Sequence, residues 1–492
     1  MPDRKQGARS AAGLRSKGTE AVLNDRSGIG PEGSLNSMFE KGKHMSYKFR
    51  GGVHPKPNKE LSADKPFETL LPKGEMVYPI SQHIGKPARP VVKRNDEVLA
   101  GQLIAEADGF VSANIYATVS GKVKAIEHRR TSAGVPADCI VVTNDGKYNT
   151  VEGIGEECDP DTLTNSEIID RIKMAGIVGL GGAGFPTHVK LSPRNPEEIR
   201  WIIANGAECE PGITCDDRLM RERPEWVIEG MRCVLRLFDN AKGIIAIEDN
   251  KPEAIEAIEA ALDGDDRISV MTLQVRYPQG SERNLVHAAT GMYMESGALP
   301  ASLGCIVDNV WTLAAIYRAV CFNEPLMEKG FTVTGEGAVN PGNFLIRIGT
   351  SVSEVLEAAG GTTEDTKKIL LGGPMMGMAI PGTDVPLVKA NNALYCMTED
   401  EVEIAEGQQT NCIRCGRCIR SCPLGLSPQL MLQAAERNDL ERFIALHGLD
   451  CIQCGCCTYT CPARRPLVPV FKLFKPRAMA YNRAKQQKEG NK

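Results

Sequence analysis

The stretch C-I-R-C-G-R-C-I-R-S-C-P at residues 412–423 and the stretch C-I-Q-C-G-C-C-T-Y-T-C-P at residues 451–462 decide how the end of this chain folds. Both follow the pattern C-x2-C-x2-C-x3-C-P. Three thiolates at this spacing can hold three irons of a cubane, while the fourth cysteine of each run reaches the other cluster. Zinc also binds C-x2-C pairs, but the tripled spacing with its terminal C-P fits zinc poorly. The two runs therefore predict two [4Fe-4S] clusters with crossed ligation.

The crossed pattern assigns four cysteines to each cluster. Cluster 1 takes Cys412, Cys415, Cys418 and Cys461, and cluster 2 takes Cys422, Cys451, Cys454 and Cys457. Cys456 fits no position in the rhythm and is interpreted as a packing residue beside the ligands. Apolar spacing over residues 427–446 predicts one helix between the runs, with Ser427 and Pro428 at its start. This module is predicted to be a helical two-cluster ferredoxin, which carries single electrons.

The composition of the whole chain limits the number of domains and the classes of function that are possible. The 492 residues, 42% hydrophobic and 24% charged, are enough for about three or four compact units. A formal charge of -4 argues against a nucleic-acid-binding face, so no nucleic-acid partner is expected. No charge-free run approaches the ~20 apolar residues that a spanning helix needs, which predicts a soluble chain. Seventeen cysteines without a secretory signal indicate a reducing compartment.

A glycine-rich loop, G-L-G-G-A-G-F-P-T-H-V-K at residues 179–190, follows a predicted helix at 167–175. Four glycines in six residues let backbone N–H groups close around an anion or a flat ring, and Lys190 can add a charge. The loop lacks the Gly-Lys-Ser/Thr ending of a P-loop, so ATP is disfavoured. By itself the pattern also fits a glycine-rich turn without a ligand.

A short strand pattern at residues 200–204 runs directly into the polar loop N-G-A-E-C-E-P-G at 205–212. A strand is predicted next at 243–248, then a helix at 252–262 and a strand at 268–275. This alternation predicts a parallel or mixed sheet with covering helices. Open α/β sheets bind their ligands at polar loops just past the carboxyl ends of strands.

These motifs together resemble the FMN- and NADH-binding subunit of respiratory complex I and NAD-linked hydrogenases. The loops at 179–190 and 205–212, Q-G-S-E at 279–282 and D-N-V-W-T at 308–312 match that family's motifs in order. The resemblance implies that FMN is surrounded by Gly179, Gly181, Gly182, Gly184, Lys190, Asn205, Glu208, Asn309 and Thr312. It further implies that Phe185 lies near the nicotinamide, and that Lys190, Glu210 and Glu282 contact the dinucleotide NAD(H).

Four positions depart from the family pattern. Leu180 replaces an arginine, Ala207 an aspartate, His188 a glycine and Ser281 a glutamate. Each departure removes or alters a polar contact. The alternative interpretation is a domain that keeps the fold without flavin.

Two further domains flank the flavin-like one. Residues 78–142 resemble the barrel-sandwich hybrid of biotinyl and lipoyl carriers, but Lys122 lies outside the carriers' lysine motif, which favours a structural role. Residues 331–349 predict two strands around an Asn-Pro-Gly turn, followed by a helix at 353–359 and a strand at 368–371. This pattern resembles the β-grasp domain, of the SLBB type, in the complex I subunit. The predicted fold class is therefore multidomain α/β plus β.

The whole order, over about residues 45–470, resembles the C-subunit family of the Rnf ion-translocating ferredoxin:NAD oxidoreductase complexes. The segments F-R-G-G-V-H-P at 49–55, S-Q-H-I-G at 81–85 and E-P-G-I-T-C-D-D-R at 210–218 carry this resemblance. It implies an enzyme subunit that moves electrons between NADH and two [4Fe-4S] clusters through FMN, coupled in the complex to ferredoxin and to Na+ or H+. The implied partners are a ferredoxin-like subunit and membrane flavin subunits, and the implied place is the cytoplasmic face of the cell membrane, bound peripherally. No catalytic acid or base is assigned.

Two other functions stay open from the sequence. A cobalamin reductase of bacterial microcompartments shares this architecture, and a non-catalytic iron–sulfur adaptor would relay electrons while the flavin-like fold only docks. The predicted divisions are 1–44 (a disordered extension), 45–155, 160–326, 327–380, a linker at 381–405, 406–470 and a basic tail at 471–492. The purine-rich codons implied by E-K-G-K at 40–43 suggest a natural start at Met45. The tail is interpreted as either solvated or bound to acidic lipid or a membrane partner.

Overall fold

The computed structural model describes residues 49–132 and 134–490. The predicted disordered extension and the suggested start at Met45 lie outside these residues. Strand β1 (Phe67–Leu70) comes first along the chain but joins a sheet built mainly from residues after 327.

Seven short strands form the first layered region. They are β2 (Glu75–Pro79), β3 (Arg89–Pro90), β4 (Glu97–Val98), β5 (Leu103–Glu106), β6 (Ile115–Tyr116), β7 (Gly121–Arg130) and β8 (Pro136–Asn144). An antiparallel sheet in the order β2-β8-β7-β4 packs on a second sheet in the order β3-β5-β6. Met76 and Tyr78 alternate inward from β2 into the shared core. The predicted sandwich is confirmed, and Lys122 lies inside β7 opposite Glu97, not at a hairpin tip.

An α/β layer follows. Its strands are β9 (Trp201–Gly206), β10 (Lys242–Glu248), β11 (Ile268–Leu273) and β12 (Cys305–Asn309). Its helices are α1 (Asn165–Met174), α2 (Thr187–Lys190), α3 (Cys215–Glu222), α4 (Pro224–Leu235), α5 (Pro252–Ala261), α6 (Glu282–Thr290) and α7 (Val310–Phe322). All strand pairs are parallel, in the order β11-β10-β9-β12. The predicted parallel sheet with covering helices is confirmed.

The strand order creates a crevice in this sheet. From β9 the chain proceeds to β10 and β11 on one side, and then returns to place β12 on the other side of β9. The connections on the two sides of β9 therefore leave the sheet in opposite directions, which opens a crevice at the carboxyl ends of β9 and β12.

Helices α4 and α7 pack closely, since a Cβ at Gly230 would lie 2.0 Å from the carbonyl oxygen of Leu313.

The third region is a six-stranded mixed sheet with one helix. It contains β13 (Glu328–Thr334), β14 (Gly342–Arg347), α8 (Val352–Ala358), β15 (Lys368–Leu371), β16 (Met378–Ala379) and β17 (Ala393–Met397). The order is β1-β14-β13-β17-β15-β16. The predicted pair of strands around the Asn-Pro-Gly turn is confirmed as the antiparallel pair β13 and β14. The parallel edge strand β1 has no signal in the sequence, because its partner β14 is distant along the chain.

The last region is helical. Its helices are α9 (Glu401–Glu406), α10 (Arg417–Ser421), α11 (Pro428–Glu436), α12 (Leu440–Ala445), α13 (Cys456–Tyr459) and α14 (Leu467–Gly490). The single helix predicted at 427–446 is wrong, because α11 and α12 are separate. Asn438 between them has a left-handed φ of 55°, which asparagine tolerates. Asp439 then starts α12 by accepting a 2.8 Å hydrogen bond from the Arg442 N–H.

Residues 471–490 of the predicted basic tail lie within helix α14. Phe471 and Phe474 are buried against Phe443 of α12, so the first half of this helix is anchored in the cluster region. Among the residues that the structure describes, no helix is both long and apolar enough to cross a membrane.

Candidate cofactor and cluster sites

Two asparagines mark the crevice between β9 and β12. Asn205 and Asn309 stand opposite each other in the parallel register. The Asn205 amide donates to the Gly280 carbonyl at 2.9 Å. Asn309 begins α7, where its Oδ1 accepts from the Trp311 N–H at 2.9 Å, and its Nδ2 donates to Asp216 at 2.8 Å. Both amides are therefore held rigidly at the carboxyl edge of the sheet.

The glycine loop at 179–184 lies against this crevice. The Leu180 N–H donates to Thr312 Oγ1 at 3.0 Å, and the Lys329 ammonium donates to the Leu180 carbonyl at 3.2 Å. A Cβ at Gly181 would lie 3.0 Å from Asn309 Cβ, so the loop approaches the asparagine closely. Residues 181–183 are exposed. Within the described part of the chain, their three backbone N–H groups have no hydrogen-bond acceptor.

Lys190 forms the cationic side of the crevice. Its ammonium donates to the Val307 carbonyl at 2.6 Å and to Asp308 Oδ1 at 3.0 Å. Burial is the largest single influence and lowers the pKa of Lys190, but the charges of Asp308 and Glu282 and the hydrogen bond to Asp308 together outweigh it, so the pKa is raised. Lys190 therefore stays charged. Asp308 is 2% exposed, and its Oδ2 has no hydrogen-bond partner among the described residues.

The acidic loop after β9 is organised by a lysine from a distant part of the chain. The Lys59 ammonium donates to the carbonyls of Glu208 at 2.8 Å and Glu210 at 3.2 Å. It also lies 3.7 Å from Glu208 Oε2, while Glu208 Oε1 accepts from the Asp216 N–H at 2.8 Å. Burial raises the pKa of Glu208 to about 8. The sequence analysis gave no role to Lys59 or Asp216: Lys59 lies in no motif, and Asp216 lies in the segment 210–218, which carried the family resemblance without a site assignment.

The cysteines predicted for cluster 2 surround one cavity. Cys422, Cys451, Cys454 and Cys457 all line it, as does Cys456, together with apolar side chains that include Met431, Val468 and Phe471. The fourth cysteine of the first run thus lies among cysteines of the second run. The Leu426 N–H donates to the sulfur of Cys422 at 3.4 Å. The sulfur of Cys456 lies 3.9 Å from the Tyr277 carbonyl, which leaves the four predicted ligands that a buried [4Fe-4S] cluster needs.

The cysteines predicted for cluster 1 lie nearer the surface. Cys412 and Cys415 are exposed, whereas Cys418 and Cys461 are partly buried. Burial raises the pKa of Cys418, and the neighbouring thiols of Cys461 and Cys412 raise it further. The Arg465 N–H donates to the sulfur of Cys461 at 3.5 Å. The predicted ligands of cluster 1 are therefore more exposed to solvent than the predicted ligands of cluster 2.

Comparisons with known proteins agree with this architecture. Family models match for the RnfC barrel sandwich hybrid domain at residues 47–147 and the Nuo51 FMN-binding domain at 172–318. The SLBB domain model matches at 331–379 and the 4Fe-4S dicluster domain model at 405–462.

Three curated relatives are similar over most of their length. The C subunit of the proton-translocating ferredoxin:NAD(+) oxidoreductase complex of Clostridium ljungdahlii is 42% identical over 387 residues, which are 79% of this chain and 84% of that protein. The chain belongs to this family of C subunits. The C subunit of the Na(+)-translocating complex of Acetobacterium woodii is 39% identical, over 90% of this chain and 98% of that protein. The C subunit of the ion-translocating oxidoreductase complex of Rhodobacter capsulatus is 42% identical over 81% of this chain and 76% of that protein. The predicted resemblance to the Rnf C-subunit family is confirmed.

The crevice of this C subunit fits FMN chemically. The hydroxyl groups, ring N–H and ring carbonyls of the flavin need hydrogen-bond partners, and Glu208 Oε2 and Asp308 Oδ2 are buried carboxyl oxygens without a hydrogen-bond partner among the described residues. A phosphate needs N–H donors, which residues 181–183 offer at the start of the crevice. The departures from the family pattern leave these groups in place. Leu180 is buried and Ser281 starts α6, accepting from the Asn284 N–H at 3.4 Å.

Seven of the residues predicted to bind the flavin or the dinucleotide lie beside the crevice: Gly179, Gly181, Lys190, Asn205, Glu208, Asn309 and Thr312. Phe185 is half-buried and its carbonyl accepts from the Gly179 N–H at 2.8 Å. Gly182 is exposed, Gly184 has a left-handed φ of 65°, and Glu282 is exposed in the first turn of α6.

Glu210, which the sequence places at the dinucleotide, has its carboxylate bound by the chain itself. Tyr277 donates its hydroxyl to Oε1 at 3.3 Å, and the Met375 N–H donates to Oε2 at 3.1 Å. A Cβ at Gly373 would lie 2.2 Å from the same carboxylate. The dinucleotide role of Glu210 remains a prediction.

A continuous contact joins the crevice to the wall of the cluster 2 cavity. Tyr277 packs with Val53, Cys454 and Cys456, and Cys209 and Met375 lie against the same group. The Val53 N–H donates to the Tyr277 carbonyl at 2.8 Å, and the thiol of Cys456 lies 3.9 Å from that carbonyl. The segment 277–280 therefore touches Asn205 at one end and the cluster 2 region at the other.

The pH dependence of stability is expected to report on Glu210. Burial raises the pKa of Glu210 from 4.5 to about 7. The unfolded chain loses this proton near pH 4.5 and the folded chain only near 7, so the stabilising contribution is present at acid pH and is lost as the pH rises through that window. We expect the free energy of unfolding of Glu210→Gln to increase by about 2 kcal/mol relative to that of the wild type as the pH rises from about 5 to about 8. Anaerobic melting of both proteins measures this, and identical pH profiles would contradict it.

Proposed function

We propose that this C subunit moves electrons between NADH or NAD+ and the partner subunits of an ion-translocating ferredoxin:NAD+ oxidoreductase complex. FMN is held in the crevice between β9 and β12. Cys422, Cys451, Cys454 and Cys457 would hold a cluster able to exchange electrons with the flavin side. Cys412, Cys415, Cys418 and Cys461 would hold a cluster able to exchange them with the next protein. The order is thus dinucleotide, FMN, cluster 2, cluster 1, and it runs in reverse when NAD+ is reduced.

The observation that carries this proposal is the contact between the acidic loop and the cluster 2 wall. Glu210 is bound by Tyr277 and by Met375; Tyr277 belongs to the same apolar cluster as Cys454, and Met375 packs against that cluster. A Cβ at Gly455 would lie 2.8 Å from the Met375 carbonyl, so the two regions touch directly. The cluster 1 cysteines take no part in this contact, which supports cluster 2 as the cluster nearer to the flavin in the electron-transfer order.

The residues of this chain bind and orient the flavin and the dinucleotide. Lys190 stays cationic beside Asp308 and supports the negative charge that the site gains on reduction. Glu208 and Asp308 supply acceptors, and Asn309 fixes the start of α7. Glu282 at the exposed mouth of the crevice is available to the dinucleotide.

FMN, when bound, accepts two electrons together as a hydride and releases them singly, which is the conversion that one-electron clusters require. No side chain needs to act as a general acid or base for that conversion. The protein supplies position, charge and contact with cluster 2.

The family places the chain in a multi-subunit complex. We propose that its partners there include the ferredoxin-like subunit and the membrane flavin subunits, and that it is bound peripherally at the cytoplasmic face of the cell membrane. The relatives' names include both H+ and Na+ as the coupling ion, and ion translocation is assigned to the complex as a whole.

Anaerobic reduction by NADH tests the proposal. After reconstitution with iron, sulfide and FMN and removal of free flavin, NADH should bleach the flavin and cluster absorbance of the wild type. In Cys422→Ser, which lacks a cluster 2 ligand, the flavin should bleach at the wild-type rate while the remaining cluster stays oxidised. A remaining cluster that is reduced as fast as in the wild type would contradict the order of the two clusters.

The same experiment separates the other two functions. Full cluster occupancy without retained flavin and without bleaching would make the chain an electron-relaying adaptor. NADH-driven reduction of a corrinoid by the purified chain would favour the cobalamin reductase, although the similarity to C subunits of ion-translocating complexes supports the first function over it.

A further inference from the structure

The loop that carries cluster 1 ligands forms an exposed face on the molecule. Of residues 411–420, all except Gly416 and Cys418 are exposed. Ile413 is 64% exposed and Ile419 is 37% exposed, although both are large apolar side chains. We call the surface formed by Ile413, Arg414, Arg417, Ile419 and Arg420 the cluster 1 face. Exposed apolar side chains beside redox ligands are typical of a contact surface.

The charge of this face has one sign. Residues 407–435 contain three arginines, at 414, 417 and 420, and no acidic residue. All three arginines are exposed. Arg464 is exposed next to them, because the Thr410 N–H donates to the Ala463 carbonyl at 3.2 Å and so brings the two segments together. Within residues 49–132 and 134–490, no carboxylate forms an ion pair with any of these four guanidinium groups.

We propose that the cluster 1 face is the docking surface for an acidic one-electron carrier protein. The transfer moves one electron between the carrier's redox centre and cluster 1, so that one is oxidised and the other is reduced, and no bond is formed or broken. This inference rests on the proposed function only for the position of cluster 1 as the outer station. The docking chemistry rests on the exposed arginines and isoleucines.

The positive charge of the cluster 1 face indicates which kind of protein it binds. Unpaired arginines around two apolar side chains match a partner with an acidic rim and an apolar centre. Opposite charges accelerate encounter and hold a short-lived complex, which suits repeated electron transfer. The nearest acidic element along the chain is α9, where Glu401, Glu403 and Glu406 are exposed. Its first turn is tied to β15 by the pair between Lys368 and Asp400, so this helix serves as a control surface of opposite charge.

The test uses the full chain with both clusters and an acidic flavodoxin as the probe. Calorimetric titration at about 0.05 M and about 0.5 M salt gives the dissociation constant in each condition. The triple variant Arg414→Gln, Arg417→Gln, Arg420→Gln should bind the flavodoxin about tenfold more weakly at low salt and nearly equally at high salt. The matched triple variant Glu401→Gln, Glu403→Gln, Glu406→Gln should bind equally or more tightly.

A second experiment measures the rate of electron transfer from flavodoxin in the absence of NADH. The oxidised chain is mixed with reduced flavodoxin, and the low-salt second-order rate should fall about tenfold in the arginine variant. Equal binding and rates in wild type and arginine variant would overturn the proposal. So would a wild-type chain that binds anionic lipid vesicles through these arginines but does not bind flavodoxin, because that outcome identifies a membrane contact. If NADH fails to reduce the chain but the arginine variant still loses flavodoxin binding, the proposed function fails and the docking surface stands.

Discussion

Cys422→Ser is expected to remove cluster 2 and to leave cluster 1 intact. Cys422 belongs to the first cysteine run, yet its thiol lines the same cavity as Cys451, Cys454 and Cys457. Loss of this ligand opens the buried cluster, whereas the four cysteines predicted for cluster 1 are unchanged. Iron content should fall from about eight to about four atoms per chain, and anaerobic electron paramagnetic resonance of the reduced protein should show one cluster in place of two interacting ones.

Second substitutions identify which cluster remains. With crossed ligation, adding Cys412→Ser to Cys422→Ser removes the remaining cluster, and adding Cys451→Ser has no further effect. If each run held its own cluster, the two double variants would show the opposite result. Cys456→Ser is the matched control, because Cys456 lies between ligands but contacts the Tyr277 carbonyl. It should retain both clusters.

Gly181→Val is expected to abolish the retention of FMN. A Cβ at this position would lie 3.0 Å from Asn309 Cβ and 3.4 Å from Asn309 Nδ2, and the two further methyl groups of valine fill the adjacent space. The asparagine that starts α7 must then move, or the glycine loop must lift away from the crevice. After reconstitution and desalting, flavin absorbance should be absent, while the absorbance of both clusters should be unchanged.

Gly179→Ala is the control within the same loop. A Cβ there would lie 3.8 Å from the Phe185 carbonyl oxygen, an ordinary van der Waals distance, and it would not reach Asn309. This variant should retain FMN within about twofold of the wild-type affinity. Flavin retention in Gly181→Val, or its loss in both variants together with intact clusters, would contradict the location of the site in the crevice.

The sequence predicted much of the fold because its local patterns are short and strong. The cysteine rhythm indicated two clusters, and β9, β10, β11 and α5 follow from the alternation of apolar runs. The segment predicted as a linker at 381–405 contains β17 (Ala393–Met397), an interior strand of the six-stranded sheet. Another clear error was the helix at 427–446. Its apolar spacing continues through the break at 437–439, but Asn438 adopts a left-handed conformation and Asp439 caps a new helix. A capping signal inside an amphipathic pattern is weaker than the pattern itself.

The parts of the site that the sequence reasoning did not include come from distant segments. Lys59 binds the carbonyl groups of the acidic loop from about 150 residues upstream. Lys329 holds the Leu180 carbonyl from β13, and Tyr277 and Met375 connect Glu210 to the cluster region. None of these residues belongs to a motif, because a side chain that satisfies a buried carbonyl or carboxylate needs only one donor of the right length.

Local sequence patterns are sufficient to predict the chemistry: which cysteines can hold iron, which glycines let a backbone approach a flavin, and which family the chain resembles. These depend on residue types at fixed local spacings, and local geometry fixes them. The route between the sites follows from the packing of the domains. The cysteines predicted for cluster 2 lie inside, against Tyr277, and those predicted for cluster 1 lie near the surface, among arginines without an ion pair in the described part of the chain. That order depends on how separate domains pack, which is set by contacts between residues far apart in the chain.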